Sequence, residues 1–380
     1  MRPLEGITVL EFSQFMAGPS AGLRMADLGA RVIKIERPGS GEAGRKIALK
    51  NLFLDGSSLV FHTANRNKES YEANLKDSED LERVKKLIEK ADVITHNFRP
   101  GVMEKIGLDY KTVQKINPRL VYATVTGYGT EGVWVKKPGQ DLLVQCMSGF
   151  ANLSGNKNDN PTPVGAAVSD IITGTHLVQG VLAALIRREK TKKGAWVEVS
   201  LLESTLDLQF EYLTTYLNDG NQIPERTERG SANPALGAPY GVYKTKNGYI
   251  SIAMGSVLKL GETLNCEALL EYTNSESWFT NREDIMVILR AFLAEKNTSE
   301  WLEILEANGI WCSDLYTYKQ LLDHEGYQTL KMDQKLNLLS GEEVHTTRCP
   351  IRLNDERVYS PKPAPRVGQH TEAIIKEFNL

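Results

Sequence analysis

Apolar residues gather early in the chain into short strand-like runs separated by helical periodicity. A β-rich run at 7–12 is followed by a Gly/Pro turn at Ala17-Gly18-Pro19, a helical stretch to about Leu28, and a second strand, RVIKIE, at 31–36. Residues 71–75 read as a third strand. Residues 77–90 read as an amphipathic helix, with Leu81, Val84, Leu87 and Ile88 on one face and charges elsewhere. DVIT at 92–95 and LVYATV at 120–125 read as buried strands. Strands alternating with helices at these lengths predict parallel βαβ units and a doubly wound α/β sheet.

The pattern changes from Pro163. A Gly/Ala-rich approach ends at Asp170, where a helix is expected to begin and run to about Arg188, burying Leu177, Val181, Leu182 and Leu185. WVEVS at 196–200 is a further strand, followed by a long helix at 201–218. Residues 220–241 are rich in Gly, Pro, Asn and charge and read as a linker. After it, 241–254 carries the Asn247-Gly248 signal of a hairpin. A small α/β domain is expected to about residue 330, then a Pro-rich extended tail from Pro350 that closes on a short helix at 371–378. The expected division is a large domain, 1–219 plus 331–380, and a small domain, 220–330 with its linkers.

Composition narrows the function classes. The chain has 380 residues, 41% hydrophobic and 24% charged, with 45 basic against 48 acidic side chains. That near-balance gives no reason to expect nucleic acid or an anionic membrane as partner. Four scattered cysteines without a CxxC pair suit reduced thiols, and no signal peptide or long apolar run is seen, so a soluble, cytoplasmic protein is expected. The six histidines show no HExxH or HxH spacing, and neither a GxSxG elbow nor a P-loop is present, so no metal is expected.

Candidate chemistry lies at strand ends. The opening βαβ, with Glu36 closing its second strand, has the shape of a dinucleotide-binding unit, which makes a nicotinamide-dependent dehydrogenase one reading. Its turn runs Ala17-Gly18-Pro19-Ser20-Ala21-Gly22, however, and not GxGxxG. Arg37 directly follows the second strand, and Asn97, Phe98 and Arg99 follow the fourth. Ligands of open α/β sheets bind beyond the carboxyl ends of strands. Arginine grips phosphate and phenylalanine offers adenine a stacking face, so these loops point to a nucleotide-bearing ligand. Asp170 lies among small residues where a helix begins. A carboxylate there is favoured as the anion by roughly 0.3–1 kcal/mol, and the plain alternative is an N-capping aspartate.

Segments along the whole chain resemble the family III CoA transferases, the group of formyl-CoA transferase, carnitine CoA-transferase and α-methylacyl-CoA racemase. The carriers include PLEGITVLEFSQFMAGPSAG, GARVIKIERPGSG, HNFRPGVMEKIGL, INPRLVYATVTGYG, PGQDLLVQCMSG, GAAVSDIITGTH and PAPRVGQHT. The resemblance implies a large doubly wound, Rossmann-like domain with a small inserted α/β domain, and a homodimer of interlocked chains. It implies that Asp170 is catalytic and carries a covalent intermediate. It also implies that coenzyme A or acyl-CoA is the substrate, with no permanently bound cofactor and a small carboxylic acid as the other partner. CoA-contacting positions match Met16, Ala17, Arg37, Ala73, Asn97, Phe98, Arg99, Lys105, Gly139 and Gln140, with Asp141 as a possible wall of the acid pocket. Met16 stands where formyl-CoA transferases carry glutamine, which argues against oxalate/formate exchange. Gln140 stands where the racemases carry an acid/base histidine, which argues against racemisation. A non-catalytic CoA-binding protein is the reading from a different class.

Overall fold

The computed structural model describes every residue except Pro224 and Ser231. The chain divides into two units: Met1–Val144, Ala166–Leu208 and Leu330–Leu380 form the first, Gln145–Gly165 and Gln209–Thr329 the second.

The first unit is built on six parallel strands: β1 (Thr8–Glu11), β2 (Arg31–Glu36), β3 (Glu69–Glu72), β4 (Val93–His96), β5 (Val121–Thr126) and β6 (Ala195–Ser200). Their order across the sheet is 3-2-1-4-5-6, every neighbouring pair parallel. This is the order of doubly wound dinucleotide-binding sheets, with its switch point between β1 and β4. Strand alternation sorts the side chains onto two faces. Val9, Val32, Val93, Val121 and Val125 face one core with α1 (Ala17–Asp27) and, later in the chain, Leu177 and Val181. Leu10, Ile33, Ile94 and Tyr122 face the other with α2 (Ser78–Lys90), which buries Val84, Leu87 and Ile88. The helix α3 (Asp141–Met147) follows the loop after β5, and α4 (Val168–Thr191) leads back to β6 and then α5 (Leu201–Leu208).

α4 is long and apolar enough to cross a membrane, contrary to the expectation that no such segment exists. It is a core helix here: Leu177 and Val181 are fully buried against α1 and the sheet. The third strand lies at Glu69–Glu72, two residues or more ahead of the expected 71–75. The C-terminal tail is tied back onto β3: His370 N donates to Ser70 O, and Gly368 N to Ser70 Oγ. It also contains a two-residue hairpin, Arg352–Leu353 with Glu356–Arg357, in place of a wholly extended run.

The second unit carries a three-stranded antiparallel sheet: β7 (Gly241–Lys244), β8 (Tyr249–Ile252) and β9 (Cys312–Asp314). The expected hairpin closes at Thr245, whose amide donates to Gly248 O at 3.0 Å. Its core gathers Tyr243, Ile250, Leu289 and Trp301. The expected domain seams are corrected on both sides of residue 209. The long helix at 201–218 breaks at Gln209, and α6 (Phe210–Asn218) goes with the second unit. Residues 145–165 join it too, because Gln209 Nε2 donates to Ser148 O and the Arg226 guanidinium to Ser154 O and Asp159 O. The segment expected as a linker is thus tied down by Arg226.

Candidate active site

The predicted residues fall on loops that leave the carboxyl ends of successive strands of the first unit. Met16 and Ala17 follow β1, Arg37 follows β2, Ala73 follows β3, and Asn97, Phe98 and Arg99 follow β4. Lys105 ends a short helix, Val102–Lys105, just beyond them. Gly139, Gln140 and Asp141 close the loop after β5, and Asp170 opens α4. Ala17 and Ala73 are buried, whereas Arg37, Arg99, Lys105, Gly139 and Gln140 are exposed. Asn97 bridges two loops across the switch point: its Oδ1 accepts from Gln14 N at 2.8 Å and its Nδ2 donates to Gln14 O at 2.7 Å.

The helix-start reading of Asp170 is refined. α4 begins at Val168 with Ala167 at its N-cap and no side-chain cap from its own start, so Asp170 is not the capping residue. That role falls to a carboxylate from elsewhere. Asp141 Oδ1 accepts from Ser169 N at 2.7 Å and from Asp170 N at 3.3 Å, meeting amides that a helix start leaves without intrahelical partners. The Asp170 carboxylate is left over, in the first turn of α4 and beside a second acid. Burial, and then the Asp141 charge, push it up to about 7. A carboxylate perturbed in this way at a ligand-binding edge is a functional-site signal.

Glycines set the two carboxylates in place. The two ends of the loop between β5 and α3 meet so closely that a Cβ on Gly139 would lie 2.5 Å from Gly127 Cα. Either side chain would force the ends of the loop apart and move Asp141. On the other side, Gly174 sits one turn beyond Asp170. A Cβ there would lie 2.2 Å from Ser20 Oγ and 2.7 Å from Ala17 O. The residues AGPSAG, expected at 17–19 as a Gly/Pro turn, instead open α1, and their small side chains serve its close packing on α4, which brings Ala17 and Ser20 against the helix of Asp170.

Glu36, the acid expected to hold a ribose in the dehydrogenase reading, is occupied. Its Oε1 accepts from Arg45 Nε at 2.8 Å and its Oε2 from Ser70 Oγ at 2.6 Å, and it is buried. The Arg45 hydrogen bond and charge hold it below the usual carboxylate range despite burial. A carboxylate consumed by an internal arginine offers nothing to a nicotinamide nucleotide.

Sequence reasoning missed a second set of charges. Lys34 and Lys68 are both buried and both bond to Glu11: Lys34 Nζ to Oε1 at 2.9 Å, Lys68 Nζ to Oε2 at 2.9 Å. Lys34 also donates to Ser13 O at 2.7 Å and lies 3.6 Å from Glu42 Oε1. Lys68 donates to Pro19 O at 2.8 Å. Burial pulls both amines down. For Lys34 the carboxylates of Glu11, Glu42 and Glu36 outweigh it, while Lys68, repelled by Lys34, falls to about 8.

Residues 4–371 match the family model of CoA-transferase family III. The chain belongs to that family. As a family III CoA-transferase it is an enzyme that transfers coenzyme A. Among its relatives is succinyl-CoA:glutarate CoA-transferase of Mus musculus, 31% identical over 99% of this chain and 86% of the relative. Acetyl-CoA:oxalate CoA-transferase of Acetobacter aceti is 30% identical over 99% of this chain and 96% of the relative. A crystal structure of a CaiB/BaiF family protein from Brucella suis superposes with a TM-score of 0.85, at 30% identity and 99% coverage of both chains. The dehydrogenase reading of the opening βαβ is set aside by this match.

Proposed function

We propose that this CoA-transferase moves CoA from an acyl-CoA thioester to a free small carboxylic acid through covalent intermediates on Asp170. The observation that carries the proposal is an ionisable carboxylate held up near neutrality by burial and Asp141, rather than neutralised by a basic partner. Relatives named for succinyl-CoA, glutarate and oxalate support acids of that size as the exchanged groups.

In the first step Asp170 attacks the donor thioester carbonyl. The C–S bond breaks, CoA leaves as thiolate, and a mixed acyl–aspartyl anhydride forms. The thiolate then attacks the aspartyl carbonyl, breaking the anhydride C–O bond, releasing the donor acid and leaving an aspartyl–CoA thioester. The acceptor carboxylate attacks that thioester and again expels the thiolate. The thiolate returns to the acceptor's carbonyl and frees Asp170. Anhydride chemistry keeps the acyl group activated throughout, so no nucleotide hydrolysis is required. The Met16–Ala17, Arg37, Ala73, Asn97–Arg99 and Gly139–Gln140 loops, with Lys105, would hold the CoA. Their position beyond the carboxyl ends of the strands and the basic character of Arg37, Arg99 and Lys105 support this.

We further propose that the working protein is a homodimer. α6 leaves Phe210 and Leu217 about two-thirds exposed, and Leu213 between them is also open. An apolar row of that kind is normally covered by a partner. Light scattering on the purified chain tests it. A monomer at micromolar concentration removes that part of the reading.

The covalent step has a direct test. Incubating the protein with donor acyl-CoA and no acceptor should attach CoA to the peptide containing Asp170, visible by mass spectrometry after rapid quench. Turnover with Asp170 never modified would overturn the mechanism.

A further inference from the structure

Phe15 stands in a conformation that its side chain disfavours. Its φ is 65°, in the left-handed region where a bulky residue is an outlier, and the residue is 49% exposed. The ring belongs to neither core of the first unit. The loop around it, however, is held from several sides by side chains whose own positions are fixed. Glu42, buried, accepts from Phe15 N at 3.1 Å and from Gly44 N at 2.7 Å. Asn97 takes both the amide and the carbonyl of Gln14. Lys34, fully buried and anchored on Glu11, takes Ser13 O. Buried charge-assisted hydrogen bonds of this type hold the backbone they grip in one conformation. Here the conformation they fix displays an aromatic ring to solvent at the carboxyl edge of the sheet, next to the switch point.

Strain maintained by surrounding structure points to function at the strained residue. The ring precedes Met16 and Ala17, where α1 presses on Gly174, one turn beyond Asp170. Through Glu42 it is also tied to the loop that begins at Arg37, so it stands between the helix of Asp170 and the basic loop, where the arm joining thioester to nucleotide would pass. We propose that Phe15 is a binding residue whose ring forms an apolar wall for the uncharged pantetheine–thioester arm of CoA, and that Glu42 and Lys34 are positioning residues that hold it there. The inference rests on the proposed function. It adds a residue that neither the family match nor the sequence reading assigned, and a reason for charges buried under the loop.

The test uses two ligands that separate the ends of CoA: CoA itself, and adenosine 3′,5′-bisphosphate, which lacks the pantetheine arm. Phe15→Gly removes the ring while glycine accepts the left-handed backbone without steric cost. Titration calorimetry on the full chain should show CoA bound about tenfold more weakly and the bisphosphate unchanged, the loss expected for one buried aromatic contact. Phe15→Asn, which also tolerates this backbone, should repeat the pattern. Glu42→Gln, with the ring still present but the clamp loosened, should raise KM for the donor acyl-CoA several-fold and leave kcat nearly unchanged. Equal weakening of both ligands, or unchanged CoA affinity in both Phe15 variants, overturns the inference. Failure of the native chain to bind either ligand overturns the proposed function and this inference with it.

Discussion

Two clusters of carboxylates lie along the carboxyl edge of the same sheet, and they are treated in opposite ways. Glu11 and Glu42 are buried with Lys34 and Lys68 within ion-pairing distance, so two negative charges meet two positive ones out of water. Asp170 and Asp141 are placed side by side with like charge, and burial adds to the repulsion. In the first cluster compensated charge makes geometry, because Glu11 bonds both ammonium groups and Lys34 reaches Glu42 and Ser13 O as well. In the second, on the proposed mechanism, the charge of Asp170 would make reactivity, because the ionised group is held at a cost that bond formation to a thioester carbon would relieve. The contrast separates what holds the site from what acts in it, and each half can be broken independently.

The largest effect should come from the reactive half. Asp170→Ala should lower CoA exchange by at least about a thousandfold, as removal of a covalent nucleophile does, while CoA still binds. Mass-spectrometric detection of the newly formed acyl-CoA, beside a CoA titration, reads both. Exchange within tenfold of the native rate would place the chemistry elsewhere. The holding half should respond in stability instead. Glu11→Ala strands two buried ammonium groups, and loss of one partner from such a site costs about 3–5 kcal/mol. Urea unfolding should report most of that, and a change below 1 kcal/mol would mean that the lysines find water or rearrange.

Asp170→Asn sharpens the comparison, because the same substitution should inactivate and stabilise. The folded-state value of Asp170 is raised from 3.8 to about 7, so its contribution to stability is present below pH 4 and lost as pH rises through 7. At pH 8 the native chain carries an ionised group that its fold disfavours, and the neutral amide does not. Allowing for the part of the side chain that water still screens, and for the anion's favourable place in a first helical turn, the gain should be about 1–2 kcal/mol at pH 8. It should vanish near pH 4. Thermal melts at the two pH values check the sign, and equal melting temperatures at pH 8 would say that the shift is not felt by the fold.

The meeting of Gly127 and Gly139 places the second cluster. Gly139→Ala would put a Cβ 2.5 Å from Gly127 Cα, a backbone atom, so the two ends of the loop must separate. Displacing Asp141 from the start of α4 should cost about tenfold in kcat, since small misplacements at a reacting centre are felt in rate. Gly165→Ala is the control, because a Cβ there meets nothing within 4 Å.

Much of this was open to reading in the sequence, and the exceptions share a physical cause. Strands such as LVYATV are buried on both faces, so their apolar runs stand out against any background. β3 did not. Its residues, ESYE, are mostly polar at the edge of the sheet, and the apolar Ala73 and Leu75 that suggested a strand lie just beyond it. The seam between the units was hidden because side-chain-to-backbone bonds from Gln209 and Arg226 set it, and such bonds leave no periodicity. At the site, Asp170 could be singled out locally. The capping exchange with Asp141 could not, because the partners are 28 and 29 residues apart and meet only through the crossing of two glycines. The buried lysines did leave a trace. Strands covered on both faces have little use for charge, so Lys34 within RVIKIE and Glu11 within TVLE announced a buried pair that pattern reading passed over.

The smallest expected effect is also the most specific to the like-charged pair. On the proposed mechanism Asp170 must be ionised to attack, so kcat/KM should rise with pH through an acid limb near 7, set by Asp170 in the free enzyme. Burial is the larger cause of that position and the Asp141 charge the smaller. Asp141→Asn removes the charge and keeps the two amide bonds, since the asparagine Oδ1 can still accept from Ser169 N and Asp170 N. The limb should therefore move to lower pH by a fraction of the whole displacement, with the rate on the alkaline plateau little changed. A limb that stays in place would mean that burial alone perturbs Asp170. A plateau that collapses with it would mean that Asp141 acts in the reaction itself, as a wall of the acid pocket would. An unmoved limb in Glu42→Gln, measured alongside, would show that the compensated cluster holds the loop without tuning the nucleophile.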